Sequence, residues 1–409
     1  MRQPEHASTR LPLSFRLLWT AAAASNIGDG LRITALPLLA TTVTTDPRAI
    51  AGVTIAERIP WLLFILPGGA WADRYDRRML QVRLDLVRGV VMASLVCTIA
   101  AHQLTIVVIY IVTALLASAE AIVNSSSVAL VPGTVEAYDL VRAGSRLAST
   151  QVLTNELIGP PLGGLLFGLA MIVPFGVDAV SFFAAALIMM MLPGSFQPGA
   201  TKAALAPLRR DIGEGFRWLW QHHGLRNLAL ISMALGAAAF VGNSVFVLFA
   251  TQTLKLSGLG FGLLLVPGAV GGIIGSMLAS RLRRFPLPVV LFSAIVVSGI
   301  VTALTAAVSS PLLASLLCGT ASLTSKIWIV LTVALRQRVI PQHLLGRVGA
   351  SYRFLVFAGM PVGALVGGLL AESFSVRTAL AVDGLAYLTF SPVVLILLRE
   401  VTSSGDAGA

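Results

Sequence analysis

Charge is what this chain lacks. Only 11% of its 409 residues are Asp, Glu, Lys or Arg, where a soluble domain carries roughly 25%. Mean hydropathy is +0.87, and a water-soluble fold is excluded on that ground. Cysteine is equally scarce: Cys97 and Cys318 are the two present, each inside an apolar run. So few thiols argue against a disulfide framework and a thiolate metal site. The five histidines show no metal-ligand spacing, and His222-His223 sits in a basic stretch that reads as solvated. No G-x-x-x-x-G-K-[ST] run occurs, and no polar segment is long enough to hold a nucleotide-binding domain. ATP-driven work, a metal and a cofactor are not expected, nor is an enzyme.

Long apolar runs are what the chain has. A bilayer-spanning helix needs about 20 mostly apolar residues. Twelve such runs can be counted, near 15–43, 48–72, 84–101, 104–131, 146–171, 174–193, 227–251, 257–279, 287–308, 311–334, 348–371 and 376–398. The run after the charged stretch Met1 to Arg16 is too long for a cleavable signal, so the N-terminus reads as retained. The net charge of +11 could suggest nucleic acid. However, the basic residues are not gathered on one segment; they recur between apolar runs, which points to the lipid bilayer and no nucleic acid. Alternating the gaps puts 23 Lys and Arg on the side of the N-terminus and three, Arg48, Lys255 and Arg377, on the other. Arg32, Arg58 and Lys326 remain inside spans. This bias predicts both termini on the cytoplasmic side of the inner (plasma) membrane.

The longest gap divides the chain into an N-terminal half (1–193), a linker (194–226) and a C-terminal half (227–409). Leu208, Ile212, Phe216 and Leu219 fall at helical spacing in the linker, which predicts an amphipathic helix on the inner membrane surface. The halves read as repeats. An offset of 200 pairs Gly159, Pro161, Gly163 and Gly168 with Gly359, Pro361, Gly363 and Gly368, and Pro67-Gly68 with Pro267-Gly268. Such matching is what two parallel-related halves produce.

Two motifs stand out. Gly69, Asp73, Arg74, Arg77 and Arg78 form G-x-x-x-D-R-x-x-R-R between the second and third runs. An acid and bases one turn apart at a helix end can reach neighbouring helix ends, and glycine permits close approach. In the fifth run Gly159-Pro160-Pro161-Leu162-Gly163-Gly164 combines prolines that bend a helix with glycines that admit a neighbouring backbone. The first motif resembles the signature loop of the major facilitator superfamily. The second resembles the G-P-x-x-G-G motif of its drug:proton antiporter branch. Asn26-Ile27-Gly28-Asp29-Gly30 and Val177-Asp178-Ala179-Val180-Ser181-Phe182 look similar to the part of that superfamily containing macrolide-efflux proteins and the enterobactin exporter. The resemblance implies an all-α integral membrane protein with twelve transmembrane helices in two pseudo-symmetric six-helix bundles, the major facilitator fold. It also implies that the first, second, fourth, fifth and tenth spans face a central cavity.

Charges inside spans are costly and each is a functional hypothesis. Asp29 lies roughly 18 Å into the first span, at 1.5 Å per residue, and Arg32 can pair with it three residues on. Glu156 sits beside Asn155 at similar depth in the fifth span, and Lys326 near mid-depth in the tenth. Glu120 and Asn124 share a face of the fourth span, and Asn26 adds a polar group to the first; Glu57 and Arg58 lie in the outer part of the second. Asp29 and then Glu156 are the candidate proton sites, with Arg32 and Lys326 as charge partners. The alternative is that Asp29 and Arg32 form a structural ion pair. Asp85 and Arg88 read as gate or packing residues. The expected function is a monomeric, proton-coupled secondary exporter of small hydrophobic compounds, with protons as the second partner. Two rivals stay open: a dedicated exporter of one metabolite such as a siderophore or antibiotic, and a non-transporting sensor or scaffold.

Overall fold

Hydrocarbon offers no partner to backbone polar groups, so a chain this apolar must satisfy them within its own segments. The computed structural model describes residues 11–64, 75–194, 196 and 208–405. These residues form helices joined by short turns, without a strand among them. The first half contributes α1 (Leu13–Val43), α2 (Pro47–Phe64), α3 (Arg77–Ala100), α4 (Ile106–Leu130), α5 and α6 (Val173–Met190). Helix α5 is composite: Leu140–Gln151, a π-helical segment Val152–Ile158, then Gly159–Leu169. The linker forms α7 (Leu208–Gln221). The second half contributes α8 (His223–Asn243), extended by a π-helical segment Phe249–Thr253, then α9 (Gly258–Leu282), α10 (Leu287–Ala307), α11 (Pro311–Val339), α12 (Leu345–Ser373) and α13 (Val376–Gly405).

Nine of these helices are long and apolar enough to cross a membrane by length and composition. The other long ones, α1, α2 and α3, carry charge within their length, and the charges of α1 and α3 meet inside the first half. Helix α3 begins at Arg77, before the apolar run expected from residue 84, because Asp76 caps it. Its carboxylate accepts from the backbone N–H of Arg78 (2.9 Å) and Met79 (3.1 Å). The basic residues at the start of α3 are thus part of the helix. Arg88 is a correction to the charge tally: it is 1% exposed and belongs to neither face.

Pairings recur between the halves. Helix α1 packs on α5 and α6, α2 on α4, and α3 on α4 and α6; α8 packs on α12 and α13, α9 on α11, and α10 on α11 and α13. The glycine offset of 200 has a structural counterpart. A Cβ at Gly159 or Gly163 would strike the backbone of Gly30 or Leu31 on α1, and one at Gly359 or Gly363 the backbone of Met233 or Ala237 on α8. Contacts between the halves run mainly through α2 on α12 and α5 on α9, which are themselves repeat-related. Helix α7 occupies the linker stretch for which an amphipathic helix was expected, and its contacts are with the protein. It docks on α12, with Leu219 fully buried and Glu214 paired to Arg347 at 2.6 Å.

Candidate functional site

Six ionisable side chains meet inside the first half. Arg88 on α3 donates from Nη2 to Asp29 Oδ1 of α1 at 2.6 Å, and Arg32 donates from Nη2 to the same oxygen at 2.6 Å. Arg88 also pairs with Asp85 (3.4 Å) and lies over the Phe182 ring, 3.9 Å from its centroid. Arg32 reaches Glu120 on α4 at 3.4 Å and Asp178 on α6 at 3.7 Å. Four carboxyl groups face two guanidinia, so the cluster holds two more acids than bases. Charges taken from water need partners with good geometry. Asp29 has two. Asp178 is fully buried and neither of its oxygens accepts a hydrogen bond. Glu120 has the most exposed side chain of the three acids that meet Arg32, at 31%, and it borders the central cavity.

That cavity is a set of neighbouring spaces of about 400–440 Å³ each that share wall residues. Asp29, Arg32, Glu57, Arg58 and Glu120 line one of them, together with Asn243 and Phe246 of the second half. A second holds Asn155, Glu156, Lys326 and Asp383. A third, lined by Ser25, Asn26, Gln81, Asn124 and Gly144, extends toward the end of the molecule at which α1 begins. Spans one, two, four, five and ten therefore all reach the cavity, as the resemblance implied. The end at which α1 turns into α2 is closed instead. There Arg48 pairs with Glu372 across the halves at 2.9 Å, a Cβ at Gly368 would meet Ala51, and Gly164 abuts Gly258.

The prolines of the fifth span explain its irregularity. Pro160 and Pro161 donate no hydrogen bond, and the turn preceding them widens into the π-helical segment that carries Asn155 and Glu156. Pro160 and Pro161 also admit Gly262 of α9, where a Cβ would strike their backbone. Glu156 reaches Lys326 of α11 at 3.7 Å, a half-exposed pair joining the two halves at mid-depth. Of the signature-loop residues, Gly69, Asp73 and Arg74 lie outside the described residues, as do Pro67 and Gly68. Arg78 is described, and it donates to the Leu192 carbonyl at 2.5 Å, just beyond the C-terminal end of α6 in the same half.

Asp29 and Arg32 pair as anticipated, and Lys326 finds Glu156. Asp85 and Arg88, read as gate or packing residues, are buried and pair inside the charge cluster, where Arg88 packs on Phe182. The signal was available, since Asp85 and Arg88 stand three apart on one helix face. In the sequence Asp178 stands within a motif and Asp383 within no motif at all. Each is a lone acid in an apolar run, which is itself a signal.

The model of the family described as transmembrane secretion effector matches residues 7–407. The multidrug efflux pump Tap of Mycobacterium tuberculosis H37Rv is 26% identical over 414 residues, covering 98% of this chain and 97% of that protein. Macrolide efflux protein A of Streptococcus pyogenes is 21% identical over 398 residues, covering 95% and 96%. Among solved structures, nucleoside transporter NupG superposes with a TM-score of 0.71 at 14% identity, covering 95% of this chain and 99% of that one. A bacterial homologue of the iron transporter ferroportin, in an inward-facing state, gives 0.70 at 19% identity, covering 94% and 98%. At such identities the structures speak for the fold alone, the major facilitator fold. The chain belongs to the transmembrane secretion effector family of the major facilitator superfamily.

Proposed function

We propose that this protein is a secondary-active exporter of small hydrophobic compounds that exchanges protons for substrate by alternating access. The observation that carries the proposal is the charge cluster of α1, α3, α4 and α6. Two excess acids beside a substrate-sized cavity give the protein a place to carry protons across the bilayer. Glu120 is the proton-exchanging group because it alone among the acids paired to Arg32 opens substantially to the cavity. Asp29 then anchors the two arginines, and Glu156–Lys326 is a pair broken and remade as the halves move. The export direction is supported by the relatives named as efflux proteins, and the basic bias supports an inner-membrane protein with cytoplasmic termini. In that orientation the cavity opens to the cytoplasm and the Arg48–Glu372 end faces outward.

The moving units are the bundles at 1–193 and 227–409, joined by the linker at 194–226, and the protein acts as a monomer. Asp73 and Gly69 serve as a cytoplasmic latch of the first bundle. Reconstitution of the full chain into proteoliposomes tests the reading. An imposed pH gradient should drive uptake of labelled erythromycin or chloramphenicol, with proton movement dependent on the drug. Glu120→Gln should bind drug and lose the gradient-driven component. Drug movement unaffected by the gradient would remove proton coupling; no movement of any drug would leave the sensor or scaffold reading.

A further inference from the structure

We infer that the Asp383 carboxylate is the receptor for a positively charged nitrogen on the transported compound. The inference rests on the export reading above and adds the substrate's charge and the residue that meets it. It begins from the repeat. Gly28-Asp29-Gly30 on α1 corresponds to Gly242-Asn243-Ser244 on α8, and Val177-Asp178-Ala179-Val180-Ser181-Phe182 on α6 to Val382-Asp383-Gly384-Leu385-Ala386-Tyr387 on α13. The structure places the two acids alike. Asp178 Oδ1 fills the space a Cβ would take at Gly28, and Asp383 Oδ2 stands where a Cβ would sit at Gly242.

What differs is the base. Arg32 faces Asp178 from α1. The register that pairs Gly28 with Gly242 puts Phe246 at the place of Arg32. Among the described residues no basic side chain comes within ion-pair distance of Asp383, which is 5% exposed and whose Oδ1 has no hydrogen-bond partner. A buried carboxyl with one oxygen unpartnered and no base beside it is costly to keep and needs an explanation. The cavity it lines supplies one. Glu156 and Lys326 pair with each other there at 3.7 Å, leaving Asp383 as the acid on that wall without a base.

The remaining walls say what the cation must look like. Asn243, Ser298, Thr302 and Tyr387 offer hydrogen bonds along the same cavity, while Phe246 and Leu265 present apolar surface. A volume of about 440 Å³ suits a drug-sized molecule. A cationic nitrogen on an apolar body fits both kinds of wall, with the nitrogen taking the place that a guanidinium holds in the first half.

Binding to the purified full chain tests this with two probes, rhodamine 6G, which is a cation, and chloramphenicol, which is neutral. Asp383→Asn should lower the rhodamine-to-chloramphenicol affinity ratio by at least about tenfold, as expected when one partner of a buried charge pair is removed. Asp383→Glu should recover most of the ratio. An unchanged ratio in Asp383→Asn, or failure of the wild-type chain to bind rhodamine 6G, overturns the inference. Failure of the export reading looks different: rhodamine 6G would bind in an Asp383-dependent way and yet not move across proteoliposomes.

Discussion

Arg88 and Asp29 meet at 2.6 Å between α3 and α1, and the guanidinium is 1% exposed. The pair fixes how α1, α3 and α6 relate to one another, because Arg88 also holds Asp85 and rests on Phe182 of α6. Removing it strands Asp85 and leaves Asp29 with Arg32 as its remaining partner. Breaking one side of a buried ion pair costs about 3–5 kcal/mol. Arg88→Leu should therefore lower the melting temperature of the detergent-purified protein and its monodisperse yield far more than Glu120→Gln, whose side chain reaches the cavity. Equal stability of the two variants would mean that Arg88 is dispensable to the fold.

The architecture was legible in the sequence because hydrocarbon imposes one solution on an apolar chain: helices long enough to span. The cavity-facing charges Asp29, Glu120, Glu156 and Lys326 were legible for the same reason. What escaped was which charges meet. Arg88 lies close in sequence to the basic turn at Arg74–Arg83, so a count by gaps assigned it to a membrane face. Only the cap at Asp76, which starts α3 early and carries Arg88 into the interior, shows otherwise. Asp178 and Asp383 escaped because their meaning depends on helices far away in sequence, at Gly28 and Gly242.

Close approach of the halves depends on Gly164. A Cβ there would strike the backbone of Gly258, whereas a Cβ at Gly168 would meet nothing within 4 Å. Two substitutions one turn apart should thus behave differently. Gly164→Val should block closure at the α1–α2 end and slow drug flux by an order of magnitude or more, since backbone cannot yield as a flexible side chain does. Gly168→Val should transport normally. Comparable loss in both would show that the effect is general helix damage.

Glu156 and Lys326 join the halves at mid-depth, yet their side chains are 39% and 40% exposed. An exposed pair contributes about 0.2–1 kcal/mol. Its disruption should therefore leave the fold intact and act on the conformational equilibrium. A double-mutant cycle with Glu156→Gln and Lys326→Gln should give a coupling no larger than about 1 kcal/mol in thermal unfolding. The same variants should measurably change the rate of drug-dependent proton movement. A coupling of several kcal/mol would place the pair in a drier site than the structure shows.

Arg48 and Glu372 close the opposite end at 2.9 Å, with Arg48 also beside Asp46 at 3.4 Å. Arg48→Glu sets like charges against each other there, and the two halves should part more readily. The pair is partly exposed, so the available energy is about 0.2–1 kcal/mol, a population change of up to about fivefold. Labelling reports it directly: Gly144→Cys, in a chain carrying Cys97→Ser and Cys318→Ser, puts a thiol on the cavity wall reached from the other end. A membrane-impermeant maleimide applied from that end should react more slowly in Arg48→Glu, as the cavity-open state becomes rarer. The exchange Arg48→Glu with Glu372→Arg restores an attractive pair and should recover much of the rate, while Glu372→Gln alone should fall between. If the exchange behaves like Arg48→Glu alone, the contact does not control which end is open, and closure there rests on the glycine contacts of α5 with α9 and α12 with α2.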